Sequence, residues 1–258
     1  MTDRLWRQIK DEVVQASAVE PSLSGYFHAA VLSHSSLESA LAYALASLLG
    51  NQVVSALTLH QVIEEGFAAD PEIGQKMRRD LMAHFDRDPA CSYHYIPLLY
   101  FKGFHALQAH RVGHWLWQQG RKNMALYLQG RVSEIFAVDI HPAVVIGGGL
   151  MIDHATGIVI GETAVIEEDV SMLHGVTLGG TGHEGGDRHP KIKRGVLIAV
   201  GAKILGNITV GEGAKIGAGS LVIKSVEPHT TVAGVPAVAV GKLHSIPALD
   251  MDQTLTGG

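Results

Sequence analysis

Three short stretches carry side chains whose types and spacing suit proton transfer and the grip of a small charged molecule. Asp139-Ile-His-Pro142 puts a carboxylate fifteen residues ahead of His154, within Asp153-His-Ala-Thr-Gly157. After a glycine-rich run comes Gly186-Asp-Arg-His-Pro-Lys191. A histidine with a carboxylate beside it is a general base: the neutral imidazole takes a proton, and the anion orients the ring and stabilises its cation. His154 and Asp139 read as such a dyad. Arg188 offers a planar fork that matches a carboxylate, while Asp153 and Asp88 can receive an ammonium. His189 is a candidate donor to the substrate or to an oxyanion. Each has a plain alternative: Asp139 as a cap, His154 and His189 as turn residues, Asp88 as the helix N-cap before Pro89.

The element that must position these groups repeats every six residues. Ile140, Ile146, Ile152 and Ile158 fall six apart, then after a slip Ile160, Ile166, Met172 and Leu178. A third run is Ile192, Ile198, Ile204, Val210, Ile216 and Val222. A period of six fits neither an amphipathic helix nor a plain strand, and it does fit a parallel β-helix built from hexapeptides. Three hexapeptides make a triangular coil, so the spacing predicts Ile192 over Val210, Ile198 over Ile216 and Ile204 over Val222. Two breaks interrupt the pattern, at 153–157 and at the loop 179–191. Both hold the chemistry-bearing residues, and a scaffold that departs from its own rule commonly does so at a functional site.

Residues 1–137 read as an all-helical domain ahead of a β-helix over 138–241, with 242–258 as a mobile tail. The fold class is α+β. Ser35-Ser-Leu-Glu38 has capping-box spacing, and Leu37, Leu41, Leu45 and Leu48 predict one apolar face that ends at Gly50-Asn51. Asp70-Pro71 and Asp88-Pro89 each predict a helix start. A long helical stretch follows from Ile96 to about Ala137, broken near Gly120. Its histidines and aromatic residues read as packing. A solenoid has open ends, and the helical domain is expected to cover the first.

The chain has 258 residues, 47% hydrophobic side chains and a net charge of −5. That is enough for a sizeable core, and the charge argues against a nucleic-acid partner. A single cysteine, Cys91, excludes an internal disulfide and suits a reducing, cytoplasmic setting. The apolar stretch 37–49 is too short to span a bilayer.

Asp139-Ile-His-Pro-Ala143, Asp153-His-Ala-Thr-Gly157, Val176-Thr-Leu-Gly-Gly-Thr-Gly182, Gly186-Asp-Arg-His-Pro-Lys191 and Ala233-Gly-Val-Pro-Ala237 resemble serine O-acetyltransferases. So does the helical half with Pro97-Leu-Leu-Tyr-Phe-Lys-Gly-Phe-His-Ala-Leu-Gln108. The resemblance covers nearly the whole chain. It implies a left-handed β-helix, against the usual crossover hand, and acetyl-coenzyme A as co-substrate with no tightly bound cofactor. It implies L-serine as acceptor in cysteine synthesis, with L-cysteine as inhibitor. The assembly it implies is a dimer of trimers with sites between neighbouring prisms. Gly180, Ala199, Gly201 and Lys215 are then expected along coenzyme A, with Lys203 or Lys242 at its phosphates.

Two positions depart from the family pattern. Val238 stands where a basic residue usually follows Pro-Ala. The final Thr256-Gly257-Gly258 lacks the terminal isoleucine through which longer members dock to O-acetylserine sulfhydrylase, so weak or absent binding of that partner is expected. Two rival readings use the same scaffold. One is acetyl transfer to homoserine or a sugar. The other is a γ-type zinc carbonic anhydrase using His174, His183 and His189, for which no metal spacing stands out.

Overall fold

The computed structural model describes residues 3–182 and 185–255. His183 and the Thr256-Gly257-Gly258 terminus lie outside the described residues. The chain opens with α1 (Arg4–Val19), whose cap Asp3 accepts from the Trp6 amide at 3.1 Å. A short α2 (Ser24–Phe27) leads to α3 (Leu37–Leu49). The cap of α3 is Ser36, not Ser35: its hydroxyl accepts from Ser39 N at 3.2 Å, while Glu38 is drawn away to Arg78 at 3.1 Å. The buried stripe is Leu37, Leu41, Leu45 and Leu49, whereas Leu48 points outward.

Next come α4 (Ala56–Ala69) and α5 (Pro71–Arg87). Asp70 caps α5 as the sequence predicts, accepting from Glu72 N at 3.0 Å ahead of Pro71. Asp88-Pro89 does not start a helix. Asp88 instead closes α5, and its Oδ1 accepts from Ala90 N in a tight turn at 2.8 Å. The stretch expected to break once breaks twice, into α6 (Tyr95–Tyr100), α7 (Lys102–Gln118) and α8 (Lys122–Phe136). The extra break at Phe101 aims the start of α7 at the solenoid, where a Cβ on Gly103 would sit 2.1 Å from the Ile152 carbonyl oxygen. Only glycine permits that approach.

The solenoid is parallel. Its first coil is β1 (Val138–Ile140), β2 (Val145–Ile146) and β3 (Met151–Ile152). The second is β4 (Ile158–Ile160), β5 (Val165–Ile166) and β6 (Ser171–Met172). The third is β7 (Thr177–Gly179), β8 (Lys191–Ile192) and β9 (Leu197–Ile198), with the long loop after β7. The fourth is β10 (Lys203–Leu205), β11 (Thr209–Val210) and β12 (Lys215–Ile216). Last come β13 (Leu221–Val222), β14 (Thr230–Gly234) and β15 (Ala237–Lys242), the final two antiparallel. The first sheet stacks β1-β4-β7-β10-β13, the second β2-β5-β8-β11, and the third β3-β6-β9-β12-β14-β15. The predicted ladders are present: Ile192 over Val210, Ile198 over Ile216, Ile204 over Val222. In the first coil Ile140 pairs with Ile160, so Ile158 falls instead beside Val138. The two-residue slip is thus an enlarged corner holding His154.

The helical region covers the first coil with polar side chains aimed at its backbone. Asp80, fully buried, accepts from Gly149 N (2.9 Å), Leu150 N (3.0 Å), Gln108 Nε2 (2.9 Å) and Arg111 Nε (2.9 Å) and Nη2 (2.7 Å). Arg111 also donates to the Gly147 carbonyl, His110 to Val144 and His114 to Pro142. Buried backbone groups need partners, and these satisfy the open edge. Of the α7 histidines read as packing, His110 and His114 do this, while His105 donates to the Leu98 carbonyl of α6.

Between Lys242 and Leu255 the segment expected as a mobile tail lies against the solenoid. A turn of helix, α9 (Pro247–Asp250), buries Pro247 and Ala248 against the third sheet, and Ser171 Oγ donates to the Ala248 carbonyl at 2.8 Å. Among the described residues no helix is long and apolar enough to cross a membrane.

Candidate active site

The enlarged corner between the third and first sheets is a turn of unusual backbone. His154 (φ 55°) and Ala155 (φ 60°) are consecutive non-glycine residues in the left-handed region, costing roughly 1–2 kcal/mol each. Ala155 N donates to Asp153 O at 2.6 Å and Thr156 N to His154 O at 2.7 Å, two successive tight turns. Strain of this kind persists only where the surroundings impose it. Here Ala155 is fully buried, and its Cβ bears on Gly103 at the start of α7. The result lifts the His154 imidazole off the prism, leaving its side chain 72% exposed.

His154 overhangs a cleft of about 350 Å³ between the helical region and the solenoid, lined also by Asp88, Asp153, Tyr100, Phe101 and Lys102. His154 Nε2 lies 3.5 Å from Asp153 Oδ2, and its ring meets His174 edge-on with centroids 5.7 Å apart. Burial raises the Asp153 carboxyl above its ordinary value; the His154 ring opposes the rise and the Asp88 charge adds to it. Two mutually repelling carboxylates in a half-enclosed cleft suit a cation. Asp88 keeps its turn bond to Ala90 N and still lines the cleft beside Asp153.

Asp139 does not meet His154 in this chain. It sits mid-strand in β1, paired in register with Val159, and its Oδ1 accepts from Gln129 Nε2 at 2.6 Å. Its charge is felt instead at His141, where burial lowers the imidazole, Glu162 and Asp139 oppose that, and Arg188 reinforces it. Asp139 thus belongs electrostatically with Arg188, toward the opposite corner of the first sheet.

At that opposite corner Arg188 Nη2 donates to Glu162 Oε2 at 2.8 Å. This bond is the chief reason the Glu162 carboxyl lies below its ordinary value. His189 is buried over Gly161, where a Cβ would stand 2.0 Å from its Nε2. Thr163 N donates to His189 Nδ1 at 3.2 Å, so Nδ1 is an acceptor. Burial, aided by Arg188, lowers this histidine, and the neutral ring then carries its proton on Nε2 as a fixed donor. Within one chain His174 lies at the His154 corner and His189 at this one, while His183 lies outside the described residues.

Of the residues expected along coenzyme A, Ala199 and Gly201 fall on the His154 corner. There Gly157 (φ 78°) and Gly201 (φ 69°) belong to a stacked glycine column, in which a Cβ on Gly175 would come within 3.4 Å of the Gly201 Cα. The column leaves bare backbone below His154. Lys203, on the same corner, donates to the Gly201 carbonyl at 3.1 Å. Gly180 lies at the other corner, against the Arg188 side chain. Lys215 is not open to a ligand here: it is 2% exposed and donates to Thr254 O (2.7 Å) and Asp252 O (3.1 Å) of the C-terminal segment. Lys242 Nζ donates to Thr230 Oγ1 at 2.8 Å. Sequence reasoning missed Lys102, Glu162, Thr163 and Gln129. Lys102 lies in the stretch 97–108, whose helical pattern by itself reads as packing.

A parallel solenoid of hexapeptide turns with a raised corner histidine above a bare-backbone column defines the class: residues 189–224 match the model described as bacterial transferase hexapeptide (six repeats). The helical half narrows it, since residues 5–109 match the model described as serine acetyltransferase, N-terminal. The serine acetyltransferase of Escherichia coli K12 is 58% identical over 98% of this chain and 93% of its own length. The solved serine acetyltransferase of Vibrio cholerae superposes with a TM-score of 0.97 at 56% identity, covering 98% of this chain and 99% of that one. That of Brucella abortus, solved with coenzyme A, gives 0.92 at 53% identity over 94% and 97%. The chain belongs to the serine acetyltransferase family.

Proposed function

We propose that this chain transfers the acetyl group of acetyl-coenzyme A to the hydroxyl of L-serine at a site completed by a second copy of itself. One observation carries the reading. Asp88, Asp153 and His154 converge on one cleft, while Arg188, His189 and Asp139 face the other corner of the same sheet. A neighbouring prism brings the second group to the first. Serine's ammonium is received by Asp88 and Asp153 and its carboxylate by the fork of Arg188. Paired carboxylates favour an amino acid over a sugar.

His154 takes the serine proton as the oxygen bonds to the thioester carbon, with Asp139 of the neighbouring prism stabilising the imidazolium. His189 Nε2–H donates to the oxyanion of the tetrahedral intermediate. As the C–S bond breaks, the imidazolium returns the proton to the leaving thiolate. No acyl-enzyme is required, and Cys91 is unsuited to form one: burial, with Asp88 adding, pushes its thiol up to about 11. The acetyl-coenzyme A arm runs along the glycine column past Ala199 and Gly201. The assembly is at least a trimer, and the helical regions join two trimers.

The test is subunit mixing. His154→Ala and Arg188→Ala proteins, each nearly inactive, are unfolded together and reassembled, and thiol release from acetyl-coenzyme A is measured with serine. Mixed trimers regain intact sites if the two residues come from different subunits. Mixtures no more active than their parents would place both residues in one subunit and end the reading.

A further inference from the structure

The strained turn that raises His154 is tied down by a side chain that the mechanism above does not use. Thr156 Oγ1 lies 3.5 Å from the His154 carbonyl and receives a hydrogen bond from Lys102 Nζ. A hydroxyl can accept and donate at once, so the three groups form a chain from ammonium to hydroxyl to carbonyl. Lys102 is the first residue of α7, and the next residue, Gly103, is in backbone contact with Ile152. The anchor therefore stands on a rigid helix already fixed against the strand that leads into the turn. Lys102 makes no ion pair among the described residues; its bond goes to Thr156 although both side chains could turn to water. The Thr156 carbonyl is held as well, accepting from Gly175 N of the next coil at 2.8 Å. Two left-handed residues in succession would relax without such ties, and relaxation would lower the imidazole toward the prism and away from the substrate hydroxyl.

We infer that Lys102 is a positioning residue for His154, acting through the Thr156 hydroxyl to hold the catalytic turn in its raised form. The inference rests on His154 being the general base. Its action is on kcat, because the geometry of proton transfer is set by the turn, whereas serine's charged ends are held by other residues.

The experiment is a double-mutant cycle on the assembled enzyme. Lys102→Met and Thr156→Val should each lower kcat by about tenfold to a hundredfold, the scale of a misplaced reacting group, with the serine KM changing far less. The double variant should be no slower than the worse single one. Thr156→Ser and Lys102→Arg should restore most of the rate. In a His154→Ala background Lys102→Met should change the residual turnover by less than twofold, because nothing is left to position. Multiplicative losses in the double variant, or a further loss in the His154→Ala background, would assign Lys102 a direct role and overturn the inference. A Lys102→Met protein with normal kcat would overturn it too while leaving His154 in place. A fully active His154→Ala protein would instead remove the base assignment itself.

Discussion

His84 offers the sharpest test of how the helical region is held together. It lies in the last turn of α5, 1% exposed, with its ring edge-on to Phe101 and Phe104 at 5.5 and 6.1 Å. Neither ring nitrogen finds a partner among the described residues. Burial, with Arg87 and then His105 adding to it, pushes the imidazole from 6.5 down to about 3. The unfolded chain therefore binds a proton that the folded chain refuses throughout that window. Stability from this group is complete above pH 6.5 and falls as pH drops, by about 1.4 kcal/mol per pH unit. Between pH 6.5 and 5 the loss is about 2 kcal/mol.

His84→Met keeps an unbranched apolar filling and removes both orphaned nitrogens, each costing roughly 1–3 kcal/mol when buried without a partner. The variant should be at least as stable as the parent at pH 7.5. Its advantage should then grow by about 2 kcal/mol at pH 5, read from urea unfolding midpoints at matched ionic strength. Carboxylates that titrate in the same range act on both proteins and cancel in the difference. An advantage that does not change with pH, or a variant less stable at every pH, would show that His84 is bonded or charged in the native state and refute the argument.

Asp80→Ala should destabilise by about 3–5 kcal/mol, because it strands the buried Arg111 guanidinium and two backbone amides. Adding Arg111→Met should recover part of that loss, and equal or greater loss in the double variant would mean the pair is not the source. L-cysteine should inhibit competitively with serine, since only sulfur for oxygen separates them and the proposed site assigns Arg188 and Asp153 to the shared charged ends. Arg188→Ala should weaken both by similar factors in a thiol-independent assay of acetyl-coenzyme A consumption. Cysteine inhibition that survives intact in Arg188→Ala would locate the inhibitor elsewhere.

The six-residue anchors determined the solenoid without help, because their register follows from counting. Ile192 can stack on Val210 only if each side of the triangle takes six residues, and the apolar axis leaves no other phase. Asp70-Pro71 likewise fixed its helix start locally, through one side-chain bond and one preset φ. Four of the proposed site residues, Asp153, His154, Arg188 and His189, stand where the repeat breaks, whereas Asp139 and Asp88 do not.

Where those residues end up was decided by contacts far apart in the chain. Fifteen residues is close to a full coil, yet it leaves Asp139 mid-strand and His154 past a corner, so the dyad read from spacing is not formed within one chain. Asp88-Pro89 has the same local signature as Asp70-Pro71, but packing ends α5 there and turns the carboxylate into the cleft. Lys215 looked available until the C-terminal segment folded over it. Composition carries no record of such a covering, because it depends on which surfaces the finished prism leaves for the last residues to bury. Local sequence sets periods and caps through neighbours a few residues away. Only the closed structure sets which corner faces which, because that angle sums every residue of the coil.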